Sequence, residues 1–395
     1  MNKFTLPLKS FFTITICFLL FISCKTEPKP KEPVHGLIAE HAMVVSAREE
    51  ASKIGTDILK KGGNAFDAMV GTEMALAVTY PFAGNLGGGG FMVYRMANGE
   101  TGALDYREKA PLAATKNMYL DEQGNPVDSL SREGALAVGV PGTIAGIFAA
   151  HEKLGSMSID SILQPVIELA YRGYAITENQ QQRLENYAEI FNKVNGKDIM
   201  YSGDFGASDT IKNPQLAKTL ERIVKNGKSE FYGGETGQKM VDFINAHGGI
   251  MTVEDLQVYE AQWRKPIVFD YKGLRIISMS PPSSGGICLA EIMKMIEPYD
   301  LASFGHNSQK AIQVITEAER RAYADRSFYL GDPDFVDIPI DSLTSDAYSK
   351  RRMAGFSFDK ATPSDSIDHG NIPGYESMET THYSIVDQFG NSLAV

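Results

Sequence analysis

Thr380-Thr381-His382-Tyr383-Ser384-Ile385-Val386-Asp387-Gln388-Phe389-Gly390-Asn391-Ser392-Leu393-Ala394-Val395 are the last sixteen residues of the sequence. Tyr383 to Val386 and Ser392 to Val395 predict a hairpin around the turn Asp387 to Asn391. The two threonines stand at its entrance. Threonine favours strands, so taken alone they are plain strand-openers. They also suit a second use. A threonine hydroxyl becomes a nucleophile when a base stands beside it, and cleavage of the preceding peptide bond would supply one, the threonine's own α-amine.

Working upstream, Phe356 to Met378 is rich in Ser, Asp, Pro and Gly and predicts an exposed loop. A long helix is expected from about Asn307 to Tyr323. Pro281-Pro282-Ser283-Ser284-Gly285-Gly286 predicts a turn that caps a helix starting near Ile287, with Ser283 or Ser284 as the cap. Pro266 to Tyr271 and Leu274 to Met279 predict a hairpin around Lys272-Gly273. Asn213-Pro214 opens a helix that Gly227 stops. Phe91 to Met96 and Thr101 to Tyr106 predict a hairpin around Asn98-Gly99. Glu49 to Lys61 is a helix ended by Gly62-Gly63, and Asn64 caps the next one, running to about Tyr80 with Asp67 in its first turn. Ala42 to Ser46 is a short buried strand. Strands at both ends with helices between predict a mixed α/β layered domain. The apolar strand at Leu393 to Val395 is expected to leave a sheet edge without its covering elements.

Composition narrows the function. The 395 residues can bury a large core, and their net charge is −11. Residues 1–23 hold Lys3, Lys9 and no acid, which leaves −13 on the remainder. With no basic stripe, a nucleic-acid partner is not expected. Phe11 to Ile22 is an apolar run of twelve residues, too short for a membrane span and suited to a signal peptide over 1–23. Ser23-Cys24 after it resembles the lipobox of bacterial lipoproteins, with ordinary signal cleavage nearby as the alternative. Lipidation of Cys24 would hold an exported protein on the periplasmic or cell-surface side of a membrane. Residues 24–34 then read as a stiff Pro/Lys-rich tether. Cys288 is left alone, so no disulfide framework is implied, and an inert core position is expected. The seven histidines show no metal-ligand spacing, and no cofactor is expected.

Four segments carry candidate chemistry. Gly87 to Gly90 lacks a following Lys-Ser or Lys-Thr and a helix, so a tight turn with close backbone approach fits better than a phosphate cradle. Arg107, just past a strand, could clamp a carboxylate, or form a surface ion pair with Asp105 or Glu108. Pro281 to Gly286 could bind a ligand or simply cap its helix. Asp325-Arg326 and Gly331-Asp332-Pro333-Asp334 read more simply as a turn held by ion pairs.

Together the segments say more. GGNAFDA (Gly62–Ala68), AGNLGGGGFM (Ala83–Met92), YREKAP (Tyr106–Pro111), VPGTIAG (Val140–Gly146), PPSSGG (Pro281–Gly286), AYADRSFYLGDPDF (Ala322–Phe335) and TTHYSIVDQFGN (Thr380–Asn391) occur in this order. The sequence resembles the γ-glutamyltranspeptidase (glutathione hydrolase) family from about His41 onward. The resemblance implies an N-terminal-nucleophile hydrolase fold, a four-layer αββα sandwich, incomplete here at its C-terminal end. It implies a precursor that cuts itself between Glu379 and Thr380, giving a large-subunit region 35–379 and the truncated start of a small subunit, 380–395. Thr380 is then the nucleophile, and Arg107 the residue that binds the substrate α-carboxylate. Implied partners are γ-glutamyl compounds such as glutathione, amino acid or dipeptide acceptors, and the protein's own small subunit.

The family's second supporting threonine, its α-amino-binding groups and its oxyanion glycines would lie beyond Val395. The chain as written is therefore expected to be inactive. A related acylase, a poly-γ-glutamate-processing enzyme and a non-catalytic lipoprotein relic are the alternatives.

Overall fold

A computed structural model describes residues 36–196, 199–367 and 384–394. The expected signal segment 1–23, the expected tether with Cys24, and Glu379 and Thr380 lie outside the described residues. Residues 36–40 belong to a separate unit and form no helix or strand. The fold is that of the unit His41–Val395.

The strands are β1 (Met43–Val45), β2 (Phe91–Arg95), β3 (Thr101–Asp105), β4 (Tyr174–Ala175), β5 (Thr210–Ile211), β6 (Gln262–Arg264), β7 (Ile267–Tyr271), β8 (Leu274–Ser278), β9 (Ser384–Val386) and β10 (Ser392–Ala394). The principal helices are α1 (Glu49–Lys60), α2 (Ala65–Thr79), α3 (Thr143–Leu154), α4 (Ile159–Arg172), α5 (Glu178–Asn195), α6 (Pro214–Asn226), α7 (Glu235–Ala246), α8 (Gly285–Ile296), α9 (Gln309–Tyr329) and α10 (Asp346–Arg352). Six strands form one antiparallel sheet in the order β1-β9-β10-β2-β3-β6. β4–β5 and β7–β8 are separate two-stranded ladders.

The expected hairpins around Asn98-Gly99, Lys272-Gly273 and Asp387–Asn391 all form. Lys272 and Gly273 both have positive φ, +46° and +82°, the turn geometry that follows the twist of its strands. The final hairpin corrects the expected open edge. β10 is hydrogen-bonded to β9 on one side and β2 on the other, so it lies inside the sheet.

Helix α2 packs against β9 and β10 and is buried along its whole length. Such a helix has no polar face to show water, which accounts for the run Ala65 to Val78. Its start is fixed by a reciprocal cap: the Asn64 side chain accepts from the Asp67 N–H, and Asp67 accepts from the Asn64 N–H. Asp67, wholly buried, also takes the N–H groups of Ser156 and Met157, tying α2 to the turn before α4. Beyond the sheet, β8 contacts β2, and α8 packs on both β7 and β8. Helix, sheet, hairpin and helix thus follow one another. This is the αββα order, with the second β layer represented among the described residues by β7–β8.

Three local expectations are corrected or refined. α9 runs to Tyr329, with Ser308 as its cap. The stretch after α10 is not wholly an exposed loop, because Phe356 and Phe358 stack edge-on against Tyr299. And of the two serines expected to cap α8, Ser283 Oγ accepts from the Gly285 N–H at 3.2 Å, whereas Ser284 Oγ accepts from Arg326 Nε at 2.9 Å. Cys288 is the inert core residue expected, its thiol pushed up to about 12, first by burial.

Candidate active site

Tyr106 is the centre around which the site is built. It is fully buried, its backbone exchanges both hydrogen bonds with Gly90, and its hydroxyl donates to Glu73 Oε2 at 3.1 Å. The glycine motifs close in on it. A Cβ on Gly89 would stand 2.5 Å from the Tyr106 carbonyl oxygen, one on Gly142 1.8 Å from the same atom, and one on Gly146 2.2 Å from the ring. No side chain fits at those distances. Gly88 completes the contact, its carbonyl accepting from Gly142 and Thr143 N–H at the start of α3. The segments AGNLGGGG, YREKAP and VPGTIAG therefore meet at one residue. The glycine run is the close-approach turn expected.

The next residue is Arg107. Its N–H donates to Asp105 Oδ1 at 3.2 Å, and its carbonyl accepts from the Tyr259 hydroxyl at 2.7 Å. Tyr259 is itself fixed, stacked on Tyr232 with ring centroids 5.8 Å apart. Burial, with Tyr232 next in effect, pushes the Tyr259 hydroxyl well above its usual range, so it stays a donor. The backbone of Arg107 is thus held from both sides. Its side chain is exposed, with the guanidinium 5.9 Å from the centre of the Phe91 ring.

The expected alternative, a surface pair with Asp105 or Glu108, does not form. Asp105 Oδ2 accepts instead from Arg264 Nε and Nη2, at 3.3 and 3.0 Å. Among the described residues the Arg107 guanidinium has no carboxylate partner. An exposed, unpaired guanidinium on a fixed backbone can bind a carboxylate with two parallel hydrogen bonds.

Strand register relates this arginine to the terminal hairpin. Ser384 lies opposite Ala394, Ala394 opposite Val93, and Val93 opposite Ala103. β9 therefore enters the sheet at the end where β3 finishes and delivers Arg107. Three inter-strand steps separate β9 from β3, roughly 14 Å in all. Thr380 precedes Ser384 by four residues in sequence.

The hairpin turn is anchored by a residue the sequence reading passed over. Asp387 is 2% exposed. Its carboxylate accepts from Ala65 N–H at the start of α2, from Phe389 and Asn391 N–H, and from Asn391 Nδ2. Asn391 Oδ1 in turn accepts from Ala97 N–H in the β2–β3 turn. Tyr259 and Arg264 were missed as well, and Asp105 was offered only as an ion-pair partner of Arg107. Only the Asp-x-x-x-Asn spacing of Asp387 and Asn391 across a turn was a usable local signal; the other partners are distant in sequence. Among the described residues no three His, Cys, Asp or Glu side chains gather as a metal site. None of the described helices is long and apolar enough to cross a membrane.

Comparison with known proteins bears on the family and the fold. The family model "Gamma-glutamyltranspeptidase" matches residues 51–395. The glutathione hydrolase proenzyme of Escherichia coli is 46% identical over 365 residues, 91% of this chain and 63% of the relative. The chain thus spans 63% of the length of that relative. The crystal structure of Helicobacter pylori γ-glutamyltranspeptidase superposes with a TM-score of 0.83 at 44% identity, covering 87% of this chain and 100% of that one. The Pseudomonas nitroreducens γ-glutamyltranspeptidase complexed with L-DON gives 0.78 at 40% identity, covering 85% and 98%. The chain belongs to the γ-glutamyltranspeptidase family, and its α/β fold is that family's N-terminal-nucleophile hydrolase fold.

Proposed function

We propose that this chain supplies the nucleophile and the carboxylate clamp of a γ-glutamyl-transferring hydrolase. The observation that carries the reading is Arg107: an exposed, unpaired guanidinium on a fixed backbone, at the end of the sheet where the strand following Thr380 enters.

In the precursor, Thr380 Oγ attacks the carbonyl carbon of Glu379. The C–N bond breaks, and the Thr380 nitrogen takes up the proton. Water then hydrolyses the resulting ester, which releases Glu379 as a carboxylate, restores the Thr380 hydroxyl and leaves Thr380 as a new chain terminus with its α-amine free. Such an amine has a pKa of about 7.7–8.0, so near neutrality a substantial fraction is unprotonated and able to act as a base. It accepts the Oγ proton as Oγ attacks the γ-carbonyl of a substrate such as glutathione. The amine half leaves with a proton, and a γ-glutamyl ester remains on Thr380. Water or an amino acid or dipeptide acceptor takes the acyl group. Arg107 binds the substrate α-carboxylate throughout, fixing the γ-carbonyl relative to the nucleophile. The mature protein pairs with its own small subunit and is exported, held on the periplasmic or cell-surface side by lipid on Cys24.

The test pairs two donors in the protein expressed from its complete reading frame: γ-glutamyl-p-nitroanilide and its analogue lacking the α-carboxylate. The wild type should strongly prefer the first, and Arg107→Ala should abolish that preference. Equal turnover of both donors by the wild type would overturn the reading. A preference for bulky apolar acyl donors would favour an acylase.

A further inference from the structure

We infer that Arg264 is a positioning residue for Arg107, acting through Asp105. This rests on the reading of Arg107 as the carboxylate clamp and extends it to residues that touch no substrate.

Arg264 lies in β6, the edge strand, and its side chain is largely buried at 17% exposure. Its guanidinium holds two carboxylates at once. Nε and Nη2 donate to Asp105 Oδ2, while Nη1 and Nη2 donate to the two oxygens of Asp334 at 2.7 and 2.9 Å. The Asp334 pairing is the two-pronged fork that only arginine offers. Asp105, 7% exposed, uses its other oxygen for the Arg107 N–H. Each carboxylate oxygen of Asp105 thus has its own donor, and rotation of Asp105 is blocked from the Arg264 side.

Asp334 brings in a third segment. It sits in the Gly331–Phe335 turn, where its N–H donates to Asp332 Oδ1. Its carboxyl is held below the usual range, first by hydrogen bonding to Arg264, with Lys109 adding its charge. From β6, Arg264 ties the end of β3, and through Asp105 the Arg107 backbone, to the Gly331–Phe335 turn. Without Arg264 the Asp105 carboxylate would be left buried and uncompensated. It would turn toward water or toward the Arg107 guanidinium, the cation otherwise free for substrate. Either change misplaces or neutralises the clamp and weakens its hold on the donor carboxylate.

The test uses the protein expressed from its complete reading frame, with steady-state kinetics on γ-glutamyl-p-nitroanilide. Arg264→Gln should raise KM about ten-fold or more while kcat changes far less, corresponding to a loss of donor binding. Arg264→Lys keeps the charge but not the fork, and should recover only part of the loss. In an Arg107→Ala background, Arg264→Gln should leave KM unchanged, because the group it positions is gone.

An unchanged KM in Arg264→Gln, or an equal further rise in the Arg107→Ala background, would overturn the inference. If Arg264→Gln fails to fold, Asp334→Asn at the exposed end of the network takes its place; it should raise KM by a smaller factor, and an unchanged KM would count against the inference. The two readings fail separately. Arg107→Ala with an unaltered KM removes the clamp itself, and the inference with it. Arg107→Ala with a raised KM beside a silent Arg264→Gln removes the inference alone.

Discussion

Asp387→Ala should be among the most damaging single substitutions in the terminal hairpin, and the structure sets the size of the effect. The Asp387 carboxylate accepts from four donors: Ala65 N–H at 3.2 Å, Phe389 N–H at 2.9 Å, Asn391 N–H at 2.8 Å and Asn391 Nδ2 at 2.7 Å. Phe389 is an exposed residue, so water can meet its N–H. The other three bonds are buried. An orphaned buried donor costs about 1–3 kcal/mol, and the space left by alanine admits some water, so the low end applies to each. Loss of a negative charge from the start of α2 adds about 0.3–1 kcal/mol. The total is about 3–4 kcal/mol. Asp387→Asn keeps one acceptor oxygen and should lose about half as much. Guanidinium chloride unfolding followed by circular dichroism reads this as a lower midpoint with an unaltered slope. A loss under about 1 kcal/mol for Asp387→Ala would show that the turn holds its register without the carboxylate, and would refute the reasoning.

Two further predictions concern the core around Arg107 and the helical layer beyond it. Gly142→Ala places a Cβ 1.8 Å from the Tyr106 carbonyl and 2.2 Å from the Tyr259 hydroxyl, both of which fix the Arg107 segment. Thermal unfolding should show destabilisation of about 3 kcal/mol or more, and γ-glutamyl turnover should fall with it; wild-type stability would contradict the packing described. Glu291 is 1% exposed, and burial pushes its carboxyl up to about 9, with Asp325 adding to the shift and Arg352 opposing it. Because the folded pKa lies above the unfolded one, the stabilisation is complete below about pH 4.5 and is lost as pH rises toward about 9, at up to roughly 1.4 kcal/mol per unit. Glu291→Gln should therefore gain stability over the wild type between about pH 5 and about pH 8, and parallel stability–pH curves would refute this.

The ease of reading differed by element for physical reasons. α1 and α2 were legible because Asn64, Asp67 and the pair Gly62-Gly63 are local signals, decided within a few residues. The hairpins were legible for the same reason. The place of β10 was not, because a strand's neighbours are set by partners distant in sequence; here β2 lies some three hundred residues upstream of β10. The choice between Ser283 and Ser284 as the cap was not legible, because the partner that engages Ser284, Arg326, is forty-two residues away. Arg107 could be named but not explained. Its ambiguity was resolved by Arg264, a residue with no local signature, which occupies the carboxylate that Arg107 would otherwise have paired with. Tyr106 looked like an ordinary strand residue, and only the glycines stacked around it show why three separate motifs carry them.

The central claim is that Thr380 is a nucleophile released by cleavage of the bond before it. Intact-mass and N-terminal analysis of the protein expressed from its complete reading frame tests this most directly. The account predicts a new chain beginning at Thr380, and a single uncut chain for Thr380→Ala. A cut at any other bond, or cutting that persists in Thr380→Ala, would contradict it.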